Sequence, residues 1–135
     1  EKRMAIRYRI TKRTNSIQNK KEQYIMQAVH TGIVDLDYIS NVISNECSLH
    51  EVDVKAVLIA LGMKLDYHLH QGRIVDLGDV GKFKMGFKST AEEDPKLLSP
   101  KRSIKKYHVN YQPSVKLKRK LKGEITTYKE GSRSM

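Results

Sequence analysis

A chain of 135 residues holds material for one domain and little else. Its 26 Lys and Arg outnumber 15 Asp and Glu, for a net charge of +11, and its single cysteine, Cys47, excludes an internal disulfide. No secretory signal is visible and no apolar run approaches bilayer length, so a reducing cytoplasm is the expected home. Met4 reads as the natural start, with Glu1-Lys2-Arg3 as added residues.

Residues 4–13 alternate apolar and basic, which predicts a strand with Ile6, Tyr8 and Ile10 on the buried face and Arg7 and Arg9 on a cationic outer side. Thr14-Asn15-Ser16 signals a turn, and Glu22 to Val29 completes an N-terminal hairpin spanning 4–30. After Gly32 the period changes. Leu36, Ile39, Val42 and Ile43 recur at helical spacing. Residues 48–71 form the longest helical signal, with Val54, Val57, Leu58, Leu61 and Leu65 on one stripe and Gly72 as its stop. Two starts stay open: Ser48 with Glu51 as a capping box, or a later one at His50 with Asp53. Gly62 inside this helix costs about 1 kcal/mol relative to Ala, which close helix packing would explain.

Residues 73–87 read as strands around a Gly78-Asp79 turn, with Ile74, Val75, Leu77, Val80, Phe83, Met85 and Phe87 as their apolar members. Residues 88–102 are polar and carry Pro95 and Pro100. From Ile104 a strand alternates again, placing Tyr107, Val109 and Tyr111 opposite Lys106, His108 and Asn110. Pro113 is expected to open a basic helix, closed near Gly123, that Val115, Leu117 and Leu121 hold to the body. Ile125 to Tyr128 form a last short strand, and the final Gly-Ser-Arg-Ser-Met is expected to fray.

Charge is segregated along this order. Residues 22–81 hold nine acidic and three basic residues, whereas 101–122 hold nine Lys and Arg and no acid. An acidic centre between basic ends predicts a molecule with one polyanion-facing side.

Three stretches carry a family resemblance. Asp53-Val-Lys-Ala-Val-Leu58, Gly72-Arg-Ile-Val-Asp-Leu-Gly-Asp-Val-Gly-Lys-Phe83 and Tyr111-Gln-Pro-Ser-Val-Lys-Leu-Lys118 are similar to the second-helix opening, the glycine-turn-strand signature and the approach to the last helix of the bacterial histone-like HU/IHF family. About 30 residues separate Phe83 from Pro113, close to that family's arm length. The resemblance covers roughly residues 35–122, and the hairpin before it is similar to an HU-related branch with an N-terminal extension. Three departures stand out: the arm runs Ala91-Glu-Glu-Asp-Pro95, Gly86 and Phe87 replace polar or basic residues, and Val80 replaces an aromatic.

The resemblance implies an α+β, HU/IHF-like fold: a helical base and an antiparallel sheet with a projecting β-arm, to which this chain adds the N-terminal hairpin. The expected domains are the hairpin at 4–30, the HU-like domain at 33–122 with its arm at about 86–106, and a tail at 123–135. A homodimer would interlock through Val54, Val57, Leu58, Leu61, Val80 and Phe83. Lys84, Lys88, Lys96, Lys101, Arg102, Lys105 and Lys106 on the ribbon and arm, with Lys116, Lys118 and Lys120 on the terminal helix, are the expected contacts to double-stranded DNA. Lys118 matches the family motif. Pro95 keeps two readings, a wedge entering a minor-groove base step or an ordinary turn proline, with Pro100 as the alternative wedge.

No Gly-rich phosphate loop, nucleophile elbow or metal-spaced Cys/His cluster is found, and His68 and His70 lie two apart on a helix and point different ways. The expectation is therefore a non-enzymatic, cofactor-free, nucleoid-associated cytoplasmic protein. It would bind DNA largely without regard to sequence, with bending or compaction as the result, and have neither a membrane nor a small-molecule partner. Two rivals accompany it: a protein-interaction module using the N-terminal hairpin, and an RNA binder stacking bases on Tyr8, Tyr24, Tyr107 and Tyr111.

Overall fold

The computed structural model describes residues 4–14 and 22–131. The expected turn at Asn15-Ser16, the three residues before Met4 and the last four residues lie outside the described residues. In chain order the elements are β1 (Ile6–Thr14), β2 (Glu22–Val29), α1 (Leu36–Cys47), α2 (Glu51–His70), β3 (Val75–Asp76), β4 (Lys82–Ser89), α3 (Pro100–Ser103), β5 (Ile104–Gln112), α4 (Val115–Lys120) and β6 (Thr127–Lys129). They form two compact units, one of Val34–Lys118 and one of Glu1–Ile33 with Arg119–Met135. Among the described residues, no helix is long and apolar enough to cross a membrane.

In the unit Val34–Lys118, α1 packs on α2, and α2 packs on β3 and β4 of an antiparallel sheet ordered β3-β4-β5. Asp35 starts α1: its Oδ1 accepts the Tyr38 N–H at 2.9 Å. Ser48 ends α1 in the left-handed region, φ +55°, and its N–H donates to the Ser44 carbonyl. Ser48 therefore closes α1 and does not cap α2, which corrects the capping box expected there. Helix α2 starts after His50 with no side-chain cap, and Glu51 and Asp53 complement its N-terminal dipole.

Serines fill the contact between the two helices. Ser40 is fully buried and Ser44 nearly so, because a small side chain lets the helices approach. Their hydroxyls are satisfied within α1, donating at 2.7 Å to the carbonyls of Leu36 and Asn41. Val54 and Leu69 are the buried large hydrophobics among the described residues. The rest of α2 is apolar on most sides yet exposed, including Val52, Val57, Ile59, Leu61 and Met63. Gly62 lies here with nothing within 4 Å of where a Cβ would stand, so packing within the chain does not account for it.

The second unit holds a sheet ordered β2-β1-β6. Strands β1 and β2 pair antiparallel from Arg7↔Val29 to Thr14↔Glu22, and β6 pairs parallel to β1 at Ile6↔Thr127, Arg7↔Tyr128 and Tyr8↔Lys129. The last strand thus starts two residues later than expected. The faces of β1 also differ from expectation. Tyr8 is half-buried and Arg9 exposed as expected, but Ile6 and Ile10 are exposed and Arg7 is half-buried with its Nε sealed from solvent. Alternation assigns residues to two faces, but only a covering layer decides which face is buried. Here Ile25, Val29 and Tyr128, on the Arg7 side, are half-buried as well.

Candidate nucleic-acid interface

The register of β4 on β5 sorts the ribbon into two chemically distinct faces. Phe83↔Tyr111, Met85↔Val109 and Phe87↔Tyr107 lie on one, and Lys82↔Gln112, Lys84↔Asn110, Gly86↔His108 and Lys88↔Lys106 on the other. Ring geometry agrees with the first set: Phe83 and Tyr111 centroids are 5.2 Å apart, and Phe87 meets Tyr107 edge-on at 5.7 Å. On the second face the His108 imidazole lies over Gly86, where a Cβ would come within 3.1 Å of its Nε2. The chain places glycine where the ring crosses the ribbon. The register then shifts between Lys88 and Ser89, so that Ser89 pairs with Ile104 and Lys105 is left as the extra residue of a bulge.

The base of the ribbon is held tightly. Gly81 is buried at φ +125°, and a Cβ there would meet the Gln112 carbonyl and the Tyr111 ring at 2.6 Å. The Tyr111 hydroxyl donates to the Val80 carbonyl at 2.7 Å. Ser114, not Pro113, begins the basic helix: its Oγ accepts the Leu117 N–H at 3.1 Å, and α4 runs from Val115. Val115, Leu117 and Leu121 are exposed, so they do not anchor the helix as expected; six residues make too short a helix to bury a stripe of its own. A groove of about 390 Å³ is lined by Ile74, Lys82, Lys84, Asn110 and Gln112. Another of about 370 Å³ shares Lys82 and Gln112 and adds Lys116 and Lys118 together with Asp76 and Asp79. Cations and acids are thus mixed where the ribbon meets the start of α4, a helix that ends at Lys120.

The polar residues beyond the ribbon, expected as the end of a β-arm, fold into two helical turns. Asp94 Oδ1 accepts the Lys96 N–H at 2.9 Å and caps a 3-10 turn at Pro95–Leu97. Ser99 caps α3, which holds Lys101 and Arg102. The exposed Arg102 guanidinium bonds back onto its own turn, its Nε donating to Ser99 Oγ at 3.1 Å and its Nη2 to the Leu97 carbonyl at 3.2 Å.

Ion pairs occur in both units. In the N-terminal sheet Arg9 is bidentate to Glu130 at 2.9 and 3.1 Å, Lys12 meets Glu22 at 2.7 Å, and Arg7 donates to the His30 carbonyl. On the helices Lys55 meets Asp37 at 2.6 Å, and the bond and charge of that carboxylate raise the lysine's pKa. At the ribbon base Lys116 lies 3.8 Å from Asp79. Lys82, Lys84, Lys88 and Lys106, all on one face, have no ion pair among the described residues.

Of the residues singled out from sequence, the structure brings Lys84, Lys88 and Lys106 onto that face, with Lys116 and Lys118 adjoining it through the shared groove. It sets Lys105 in the bulge, and Pro95, Lys96, Lys101 and Arg102 in the tip. Lys82, Asn110 and Gln112 are additional members that the sequence reading did not select as contacts; stepping back by two from Lys84 and forward by twos from Lys106 would have found them. Of the residues expected at a dimer interface, Val57, Leu61 and Val80 are exposed and Leu58 and Phe83 half-buried, while Val54 is spent inside its own chain.

No curated protein matches the chain in sequence. A solved structure from Bacteroides vulgatus, provisionally assigned as a bacterial DNA-binding protein, superimposes with a TM-score of 0.64 at 12% identity, covering 97% of this chain and 50% of that one. The chain therefore spans about half the length of that structure, and the likeness establishes the fold. Residues 4–129 match HU-HIG, described as an HU domain fused to wHTH, Ig, or Glycine-rich motif. With nearly all of its residues inside that match, and with the helical pair and antiparallel sheet expected of an HU relative, the chain belongs to the HU-HIG family.

Proposed function

We propose that this chain is a non-enzymatic DNA-binding protein that holds the phosphate backbone of duplex DNA on the lysine face of the β4–β5 ribbon, largely without reading sequence. One observation carries this reading: Lys84, Lys88 and Lys106 share a face without an ion pair among the described residues, joined by Lys82, whose neighbour across β3 is Asp76, and Lys88 stands directly opposite Lys106. Like charges opposed across strands cost a few tenths of a kcal/mol or more, up to about 1. A bound polyanion removes that cost and releases its own counterions. Lys82 to Lys88 spans roughly 20 Å at the strand rise, about six nucleotide steps of a duplex strand. Asn110, Gln112 and His108 add neutral hydrogen-bonding groups between the cations.

The family and the name given to the Bacteroides vulgatus structure support DNA as the partner. A homodimer completes the reading. Helix α2 exposes apolar residues on more than one side, with Val57 66% and Met63 67% accessible, and a helix apolar all round belongs in an interior. Two copies burying these faces present two lysine ribbons, and a nucleoid-associated protein of that form compacts DNA by holding neighbouring segments.

The N-terminal sheet favours a different role for its own surface. Its Arg9 and Lys12 are paired with Glu130 and Glu22, its face of Ile6, Ile10, Tyr24 and Met26 is exposed, and the edge of β2 is uncharged from Gln23 to Val29. Edge strands left without charge or proline invite strand addition, so this sheet is read as a protein-docking surface. Titration of labelled duplex DNA across a salt series tests the main reading. Binding that weakens steeply with salt is expected. No binding at low salt leaves the interaction module as the function, and preference for single-stranded RNA over duplex transfers it to RNA.

A further inference from the structure

Resting on the duplex-binding reading above, we infer that His108 is a protonatable phosphate contact at the centre of the lysine face. Laid across the ribbon in the gap left by Gly86, it takes up a proton from solvent when that face holds a duplex. The two residues form a cross-strand pair, Gly86 on β4 and His108 on β5. A Cβ on Gly86 would lie 3.1 Å from the imidazole Nε2, 3.5 Å from Cε1 and 3.8 Å from Cδ2. That edge of the ring therefore rests against the neighbouring strand, closer than a β-carbon would comfortably allow. Glycine weakens a strand interior, and its use there marks a close approach by another group. Here the approaching group is the imidazole.

The ring lies among cations. Its diagonal neighbours on β4 are Lys84 and Lys88, and two residues away on its own strand stand Lys106 and Asn110. Neither strand contains an acid, and α3, which packs on β5, brings Lys101 and Arg102 and no acid either. His108 is half-buried, yet neither ring nitrogen has a hydrogen-bond partner among the described residues, and neither is sealed from solvent. Both are open to a ligand. His68 and His70 differ, since the Nδ1 of the first meets Arg73 Nη1 at 3.0 Å and that of the second meets Asp66 Oδ1 at 3.1 Å. Imidazole is the side chain whose charge changes between about pH 5 and pH 8. Protonated, it donates from both nitrogens and adds a cation to the face. Phosphates laid along that face favour the charged ring, and by reciprocity the charged ring favours the phosphates. Because the ring is already seated against Gly86, little side-chain freedom is lost when a phosphate arrives.

Fluorescence anisotropy of a labelled duplex, read at about pH 5.5 and about pH 8 at matched ionic strength, tests this on wild type, His108→Gln and His108→Lys. Wild type is expected to bind on the order of fivefold more tightly at the lower pH. Its slope of log affinity against log salt should also steepen there by about 0.9, the contribution of one phosphate contact. His108→Gln should bind equally at both pH values, with an affinity close to that of wild type at the higher one. His108→Lys carries its charge throughout and should bind at the higher pH as wild type does at the lower. Three results overturn the inference while leaving duplex binding intact: a wild-type affinity that does not change with pH, a pH dependence that His108→Gln retains, or a lysine variant no tighter than the glutamine one at the higher pH. Absence of binding by wild type at low salt and either pH overturns the duplex reading, and this inference with it.

Discussion

Gly81 shows how one residue sets the ribbon's base. At φ +125° it occupies a conformation that L side chains rarely adopt, and the atoms facing its missing Cβ include a backbone carbonyl that cannot move aside. Gly81→Ala is expected to destabilise the fold by about 3 kcal/mol, read as a drop in Tm, with strain at a special backbone conformation as the mechanism. The pattern of glycines around a turn made this position legible as a turn residue; the approach of Tyr111 from 30 residues along the chain was not legible. Lys55 gives a pH-dependent prediction at the same scale. Its bond to Asp37 raises its folded pKa above that of the unfolded chain. The stabilisation is therefore fully present below the unfolded value of about 10.4 and is lost as pH rises through the folded one. Denaturation midpoints of wild type and Lys55→Gln should differ by a small, constant amount from about pH 6 to pH 9 and converge as pH rises past the unfolded value of about 10.4. A difference that grows with alkalinity would contradict the assignment.

At the scale of the element, the β4–β5 ribbon converts alternation into two chemically distinct faces. Neutralising Lys82, Lys84, Lys88 and Lys106 to Gln is expected to lower the slope of log affinity against log salt by up to about 3.6, since each phosphate contact contributes about 0.9. Arg9→Gln, which removes a cation already paired with Glu130, should leave the slope unchanged. A quadruple variant with wild-type slope would move the contact surface elsewhere. Much of this face was readable in advance: period-two spacing separates Lys84 and Lys88 from Met85 and Phe87, and Lys106 from Tyr107, because alternation is a local property of an extended backbone. What alternation cannot supply is pairing. That Lys88 faces Lys106, that Lys105 falls in a bulge, and that Arg102 bonds back onto its own turn depend on how two strands meet across a folded tip.

For the whole molecule, the exposed apolar face of α2 predicts association. Val57→Asp/Leu61→Asp is expected to shift a dimer to monomer in sedimentation velocity, because burying such side chains contributes about 1.5–3 kcal/mol each and a carboxylate in their place removes it. Both residues are accessible in the single chain, so the folded unit should survive the change, with circular dichroism as the control. A wild-type protein that sediments as a monomer at high concentration would remove the twofold body, though not the lysine face.

By itself the sequence determined the elements, the separation of acidic helices from a basic ribbon, and the HU-like order of its parts, since period, turn chemistry and charge are carried by residues close together in the chain. Only tertiary structure decided that the last strand joins β1 in parallel, that Ile6 and Ile10 are exposed while Arg7 is half-buried, and which of the described cations are paired with acids. Arg9 and Glu130 lie at opposite ends of the chain, and no local pattern connects them. Partner choice among distant groups follows from chain closure, which the packed fold settles.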